Sequence, residues 1–192
     1  MMQPKKSPSQ FKSDLGKCVG KRIAKLVRYS WWPKDEISVE CGIADELSFS
    51  LTAGPLEVVF DDQSSLGIAS DPGLNSVIVW WEREPGGGSC VSAPLDADDE
   101  LHPVTADEEQ YAGDRWRQLL NRQLIDIRML KKRTMSSLES ELPSELGLHF
   151  IFEESLGFIA SHGLHDGTDD FSALLPDQLA ESQRDQLIEM PL

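Results

Sequence analysis

Apolar and polar residues alternate in short runs along much of the chain. Leu47, Phe49 and Leu51 alternate ahead of a Thr52-Ala53-Gly54-Pro55 turn, Leu56, Val58 and Phe60 follow, then Leu66 and Ile68, and Val77-Ile78-Val79-Trp80-Trp81 closes the series. In the later half Leu146, Leu148, Phe150 and Phe152 alternate, followed by Leu156 and Phe158 and then by Phe171-Ser172-Ala173-Leu174-Leu175. Residues two apart on a strand share a face, so each run reads as a strand. The gaps between them are short and polar, which calls for antiparallel pairing, because a parallel crossover needs about a dozen residues. The expected class is α+β, mostly antiparallel sheet with a few helices.

The two series resemble each other. Val59-Phe60-Asp61-Asp62 followed by Leu66-Gly67-Ile68-Ala69-Ser70 recurs as Ile151-Phe152-Glu153-Glu154 followed by Leu156-Gly157-Phe158-Ile159-Ala160-Ser161, a hairpin in each case. Upstream, Phe11, Leu15 and Cys18 at helical spacing precede Gly20, and Trp116, Leu119 and Leu120 precede Asn121; Gly and Asn tolerate the left-handed conformation that ends a helix. Strand-like residues come next, Ile23, Lys25, Val27, Tyr29 and Trp31 in one half and 125–129 in the other. The chain is therefore expected to hold two approximate repeats of a helix, strand, hairpin, strand unit, over 1–93 and 115–192. Between them 94–114 carries eight acids and no Lys or Arg, the pattern of a solvated acidic linker. Glu84-Pro85-Gly86-Gly87-Gly88-Ser89 reads as a flexible stretch, since no GK[ST] follows to make it a phosphate loop. After Pro176 the chain is polar with few anchors, a short surface helix or a frayed tail.

Charge changes the picture more than composition does. The 192 residues hold 33 acids against 18 Lys and Arg, a net −15. Residues 1–34 carry nine bases and one acid, a surplus of +8, so the remainder carries −23. Such a balance repels phosphate at long range, which disfavours general nucleic-acid binding and anionic membranes and favours a basic protein partner. The basic residues Lys17, Lys21, Arg22, Lys25, Arg28 and Lys131-Lys132-Arg133 are then expected to neutralise acids within the molecule. No apolar run approaches a membrane span and the N-terminus lacks a secretory pattern. Cys18, Cys41 and Cys90 are odd in number and without CxxC spacing, which fits a cytoplasmic protein with no disulfide framework.

Chemistry-bearing residues fall in three groups. His162, His165, Asp166, Asp169 and Asp170 gather metal-binding and acid–base types in one loop, though Asp-Gly-Thr-Asp is also an ordinary turn. The pairs Asp61-Asp62 and Glu153-Glu154 follow the same Phe in each half, as catalytic carboxylates or as hairpin tips. In the doublets Trp31-Trp32 and Trp80-Trp81, neighbouring rings on a strand face opposite sides, which makes one of each an interface anchor. G-x-S-x-G, H-E-x-x-H and G-x-G-x-x-G motifs are absent from the sequence, and no catalytic residue or cofactor is expected.

Leu56-Glu57-Val58-Val59-Phe60-Asp61-Asp62 with Leu66-Gly67-Ile68-Ala69, in a small acidic α+β chain, resembles bacterial immunity proteins of polymorphic-toxin systems. The resemblance spans the two hairpins and the strand before each, about half of the chain, and implies a non-catalytic protein that binds and blocks a cognate toxin. The expected function is binding of a basic partner through Trp31, Trp32, Trp80, Trp81, Asp61, Asp62, Glu153 and Glu154. A metal-dependent hydrolase or metal-binding protein using the late His/Asp loop, and a structural subunit pairing with itself, are the other readings.

Overall fold

Ten strands in two five-stranded antiparallel sheets, joined by short helices, make up the structure, a computed structural model that describes residues 5–86 and 93–192. The first sheet holds β1 (Ile23–Ser30), β2 (Leu56–Phe60), β3 (Ser65–Asp71), β4 (Ser76–Arg83) and β5 (His102–Thr105), in the order β4-β3-β2-β1-β5. The second holds β6 (Leu124–Lys132), β7 (Gly147–Phe152), β8 (Gly157–His162), β9 (Phe171–Leu174) and β10 (Leu187–Pro191), in the order β10-β6-β7-β8-β9. The fold is α+β with antiparallel sheets, as its hydrophobic alternation requires. Each sheet is a four-stranded meander whose fifth strand returns beside the first.

Register extends the likeness. Phe60 pairs with Ile23, and Phe152 pairs with Leu124, the first residue of the first strand in each sheet. Directly after that pair both sheets carry a bulge, between Ile23 and Lys25 and between Leu124 and Asp126. A bulge inserts one residue and flips the faces that follow it. Leu26 and Arg28 therefore point inward, Val27 and Tyr29 outward, and the bulge residue Ile125 is left 51% exposed. Both hairpins have four-residue turns, closed by Phe60 N–H donating to Ser64 C=O and Phe152 N–H to Leu156 C=O. Leu156 thus occupies the turn position of Ser64, and Phe158, paired with Phe150, takes the place of Leu66, paired with Val58. The two Leu-Gly pairs are two residues out of step, a slip invisible to a period-2 pattern.

The sheets meet at a seam where Arg22 bridges Gln123. Gly20 N–H donates to Leu124 C=O (2.8 Å) and Leu124 N–H to Lys21 C=O (2.8 Å); reciprocally, Asn121 N–H donates to Ile23 C=O (2.7 Å) and Ile23 N–H to Arg122 C=O (3.1 Å). Both Gly20 (φ 92°) and Asn121 (φ 63°) take the left-handed conformation expected of them. Strands β3 and β4 pack against β7 and β8, and one apolar core runs through both sheets, from Phe11 and Leu15 to Phe150, Phe152 and Phe158.

Two expectations are corrected. The run Leu47–Leu51 is helix α3 (Ser48–Leu51), preceded by α1 (Lys12–Gly16) and α2 (Ile37–Cys41). It is wedged against β9 and β1, and Ser48 and Ser50 are as buried as Phe49, which no one-sided strand would allow. Phe49 packs 4.6 Å from Trp116 of α5 (Asp114–Arg117), whose indole N–H donates to Ser50 Oγ. The segment 94–114 is no solvated linker: it supplies β5 and α4 (Glu109–Ala112), with Leu101, Val104, Ala106 and Ala112 buried. Its carboxylates face water while these few apolar positions dock, a pattern too sparse to show a period. The C-terminal segment holds the short surface helix expected of it, α6 (Glu181–Arg184), and then adds β10 on β6; Leu187 is its inward anchor. Cys90 and the Gly87-Gly88-Ser89 part of the Gly-rich stretch lie outside the described residues.

The fourth strand lies at the edge opposite the fifth, so the chain leading from one to the other must cross a face of the sheet. In the first sheet Leu95 and Leu101 cover Val27 and Tyr29. In the second Leu179 and Leu187 cover Leu130, Ile159 and Leu174. Beneath the first crossover Glu57 accepts from Tyr29 Oη (3.0 Å) and Ser65 Oγ (2.7 Å), and Glu82 accepts from Trp80 Nε1 (2.5 Å) and Leu95 N–H (2.7 Å). Burial raises the Glu82 carboxyl above the usual range, with the neighbouring Glu57 adding to it. Burial likewise pushes Tyr29 up, with the Glu57 charge beside it.

Arg28 sits at an inward position, wholly buried. Its Nε donates to Phe49 C=O (2.9 Å), Nη1 to Gly54 C=O (2.5 Å), and Nη2 to Thr52 C=O and to Phe171 C=O (3.3 Å), with the guanidinium 4.6 Å from the Phe171 ring centre. Desolvation lowers its pKa to about 9, still high enough for full charge at neutrality. Replacing it by Met, the residue at the matching position 129, strands these carbonyls, and urea unfolding is expected to show a loss of about 3 kcal/mol or more. A loss below 1 kcal/mol would refute this role.

Gly67 lies flat beneath Trp80: a Cβ there would stand 2.2 Å from the indole. Gly67→Ala is expected to displace the ring and cost about 1–3 kcal/mol, with red-shifted tryptophan emission; unchanged emission would contradict the packing.

Candidate recognition surface

Acids and bases are distributed unequally between seams and faces. Ten of the 18 Lys and Arg side chains form ion pairs within the chain, among them Lys21 with Asp62 (2.8 Å), Arg22 with Glu153 (3.3 Å), Arg122 with Glu154 (2.7 Å), Lys131 with Glu145 (3.5 Å) and Lys132 with Glu139 (2.5 Å). Arg28, Arg117, Arg133 and Arg184 donate to backbone carbonyls. The basic residues thus serve mostly as internal neutralisers, each exposed pair contributing little by itself.

Three of the four hairpin acids are therefore spoken for. Glu153 pairs with Arg22 across the seam between the sheets, Asp62 and Glu154 pair with Lys21 and Arg122 beside it within their own halves, and Asp61 stays exposed. Burial tends to raise the Asp62 carboxyl, but donation from Lys21 and Ser64 outweighs it and holds the group below its ordinary range.

The tryptophans divide differently from expectation. Trp80 and Trp81 do face opposite sides, yet both are buried, Trp81 in the core against Phe11 and Trp80 beneath the 93–101 crossover. Trp32 is half-buried against the core. Trp31 alone of the four is open, at 51% exposure.

Unneutralised acids collect on α2, the turn after it and α4. Helix α2 is anchored by Ile37, whose neighbours Asp35, Glu36, Val39 and Glu40 project outward, and the 3-10 turn Asp45–Leu47 packs it against α4. Asp35, Glu36, Glu40, Asp45, Glu46 and Glu109 are all exposed, with Val39 79% exposed among them. Lys34 is the only base between residues 29 and 82, and it pairs with Glu108.

The late His/Asp loop does not converge. His162 is 2% exposed at the end of β8, with Nδ1 buried and unpartnered and Nε2 3.8 Å from Asp169. Asp166 accepts from Thr168 N–H (3.0 Å) and Oγ1 (2.7 Å), Asp170 accepts from the same hydroxyl (3.1 Å), and His165 is exposed. Among the described residues no three His, Cys, Asp or Glu side chains are placed to hold a metal ion. The loop instead forms a wall shared by three cavities: Asp169 lines one of about 210 Å³ with His162, Asp169 and Asp170 line one of about 460 Å³ with Trp31, and Asp166 and Asp170 line one of about 330 Å³ with Trp32 and Glu40. Sequence reasoning missed this last role, because it depends on crossovers and on α3, which carry no motif.

Cys18 is buried, its thiol pushed up to about 12 by desolvation, and Cys41 is half-buried; both are free. Among the described residues no helix is long and apolar enough to cross a membrane. Compared with family models, curated proteins and solved structures, the chain matches none.

Burial lowers the His162 pKa, only partly opposed by Asp169 and Asp71. A base with a depressed folded pKa leaves the unfolded chain holding more protons below its ordinary 6.5, so stability is full above that pH and falls as acid is added. The urea midpoint is expected to drop between pH 7 and pH 5.5, and His162→Gln to remove most of that drop. An equal drop in the variant would assign it elsewhere.

Proposed function

We propose that this chain is a non-catalytic binding protein for a basic protein partner, acting in a reducing, cytoplasmic setting. The carrying observation is the division of charge: most bases are engaged in internal pairs, while the exposed acids of α2 around Val39 pair with no Lys or Arg among the described residues. A surface of one sign attracts an oppositely charged protein and accelerates encounter, while an exposed indole supplies contact area at small entropy cost. A net charge of −15, with most bases engaged inside the molecule, also argues against phosphate recognition. The resemblance to immunity proteins supports the same reading and specifies the partner as a toxin whose own site is built for phosphate, such as a nuclease. In that role the chain covers the toxin's basic site.

Capture on tagged protein from the native cells, followed by calorimetry with the purified partner, tests the proposal. The partner is expected to be basic, its affinity to fall at least tenfold between 50 and 300 mM salt, and combined neutralisation of Asp35, Glu36, Glu40, Asp45 and Glu46 to weaken it by a similar factor. An acidic partner, or affinity indifferent to both changes, would overturn it.

A further inference from the structure

The cavity of about 460 Å³ beside Trp31 is open at the surface where the two sheets adjoin. Its lining includes two aromatic side chains, Trp31 and Trp80, and the carboxylates of Asp98, Asp169 and Asp170. Among the described residues none of these three carboxylates lies within ion-pair reach of a Lys or Arg. Ser70, whose hydroxyl is buried without a hydrogen-bond partner, also lines it. Lys5 enters from the N-terminal segment and sets its ammonium 4.6 Å from the centre of the Trp80 ring.

We infer that this groove receives a Lys or Arg side chain of the basic partner, with Lys5 holding the place of that cation in the free protein. The inference rests on the binding function proposed above and names its central pocket. A cation over an indole face is attracted by the ring quadrupole, and flanking carboxylates add Coulomb attraction in a recess that water reaches only from one side. Lys5 shows that the ring accepts a cation from above. The groove is continuous with the acidic helical face, because Ala53 and Asp170 line both this cavity and the one that reaches Glu40. An incoming basic segment therefore meets the acids of α2 and the groove in one surface.

The probe is a fluorescein-labelled hexa-arginine peptide at 50 mM salt, read by anisotropy on the full chain, with unlabelled peptide followed by indole N–H resonances in 15N-labelled protein. Shifts are expected at Trp31 and Trp80 and not at Trp81 or Trp116. Trp31→Ala and the double change Asp169→Asn, Asp170→Asn are each expected to weaken binding at least fivefold, against less than twofold for Glu141→Gln. Lys5→Gln is expected to strengthen binding more than Lys12→Gln does, because it removes the internal competitor. Binding that leaves the Trp31 and Trp80 resonances unmoved, yet is lost when the α2 acids are neutralised, would overturn the groove and spare the acidic-surface reading. Absence of peptide binding to the unaltered protein would overturn both.

Discussion

A guanidinium with no carboxylate partner lies at the centre of the molecule. Arg28 occupies a position where the second sheet has Met129, and its charge is met by carbonyl dipoles of Phe49, Thr52, Gly54 and Phe171 and by the Phe171 ring. A buried ion is costly unless all its donors are used, so the backbone around it has little freedom to move. Those carbonyls belong to the end of α3, the turn that follows it, and β9 of the other sheet. One side chain thus ties together α3, the 52–54 turn beneath Trp31, and the strand that closes the late acidic loop. The surface we assign to recognition is held from below by this contact.

Topology supplies the second constraint. Because each fifth strand must reach the far side of its meander, the chain crosses the outer face of both sheets and covers part of each. This returns Trp80 to the interior and converts an acidic stretch into a lid anchored by Glu82 on Leu95 N–H. Charge then sorts itself. At the hairpin tips Glu153 finds Arg22 across the seam, while Asp62 and Glu154 find Lys21 and Arg122 within their own halves; on the crossover Asp96 finds Arg83, and the exposed acids of α2 and the late loop pair with no Lys or Arg among the described residues. Unpaired acids gather on α2 and on the late loop, and Trp31, the most exposed indole, lines a cavity with Asp169 and Asp170 of that loop.

Much of the framework could be read from the pattern of residues. Both hairpins, the buried strand at 77–81, the left-handed Gly20 and Asn121, and the antiparallel class follow from period-2 alternation and from turn chemistry, which are local. Alternation could not reveal the bulges, since one inserted residue changes the face of everything after it while leaving composition unchanged; hence Arg28, expected to neutralise an acid, lies in the core against backbone carbonyls. The stretch 47–51 alternates and is nevertheless helical, because both of its faces are covered and the pattern loses meaning there. The acidic stretch at 94–114 hides its strand among carboxylates that need only face water. As for the site, Trp31 and the loop through Asp170 were visible as unusual residues, whereas their neighbourhood was not: it is assembled from elements 70 to 140 residues apart.

Hydrogen exchange on the free protein and on the complex with its basic partner tests the central claim most directly. The account predicts added protection over 31–46, 95–101 and 166–170, with the exposed side of β6, β7 and β10 unchanged. Protection confined to those three strands, or none anywhere at saturating partner, would contradict it.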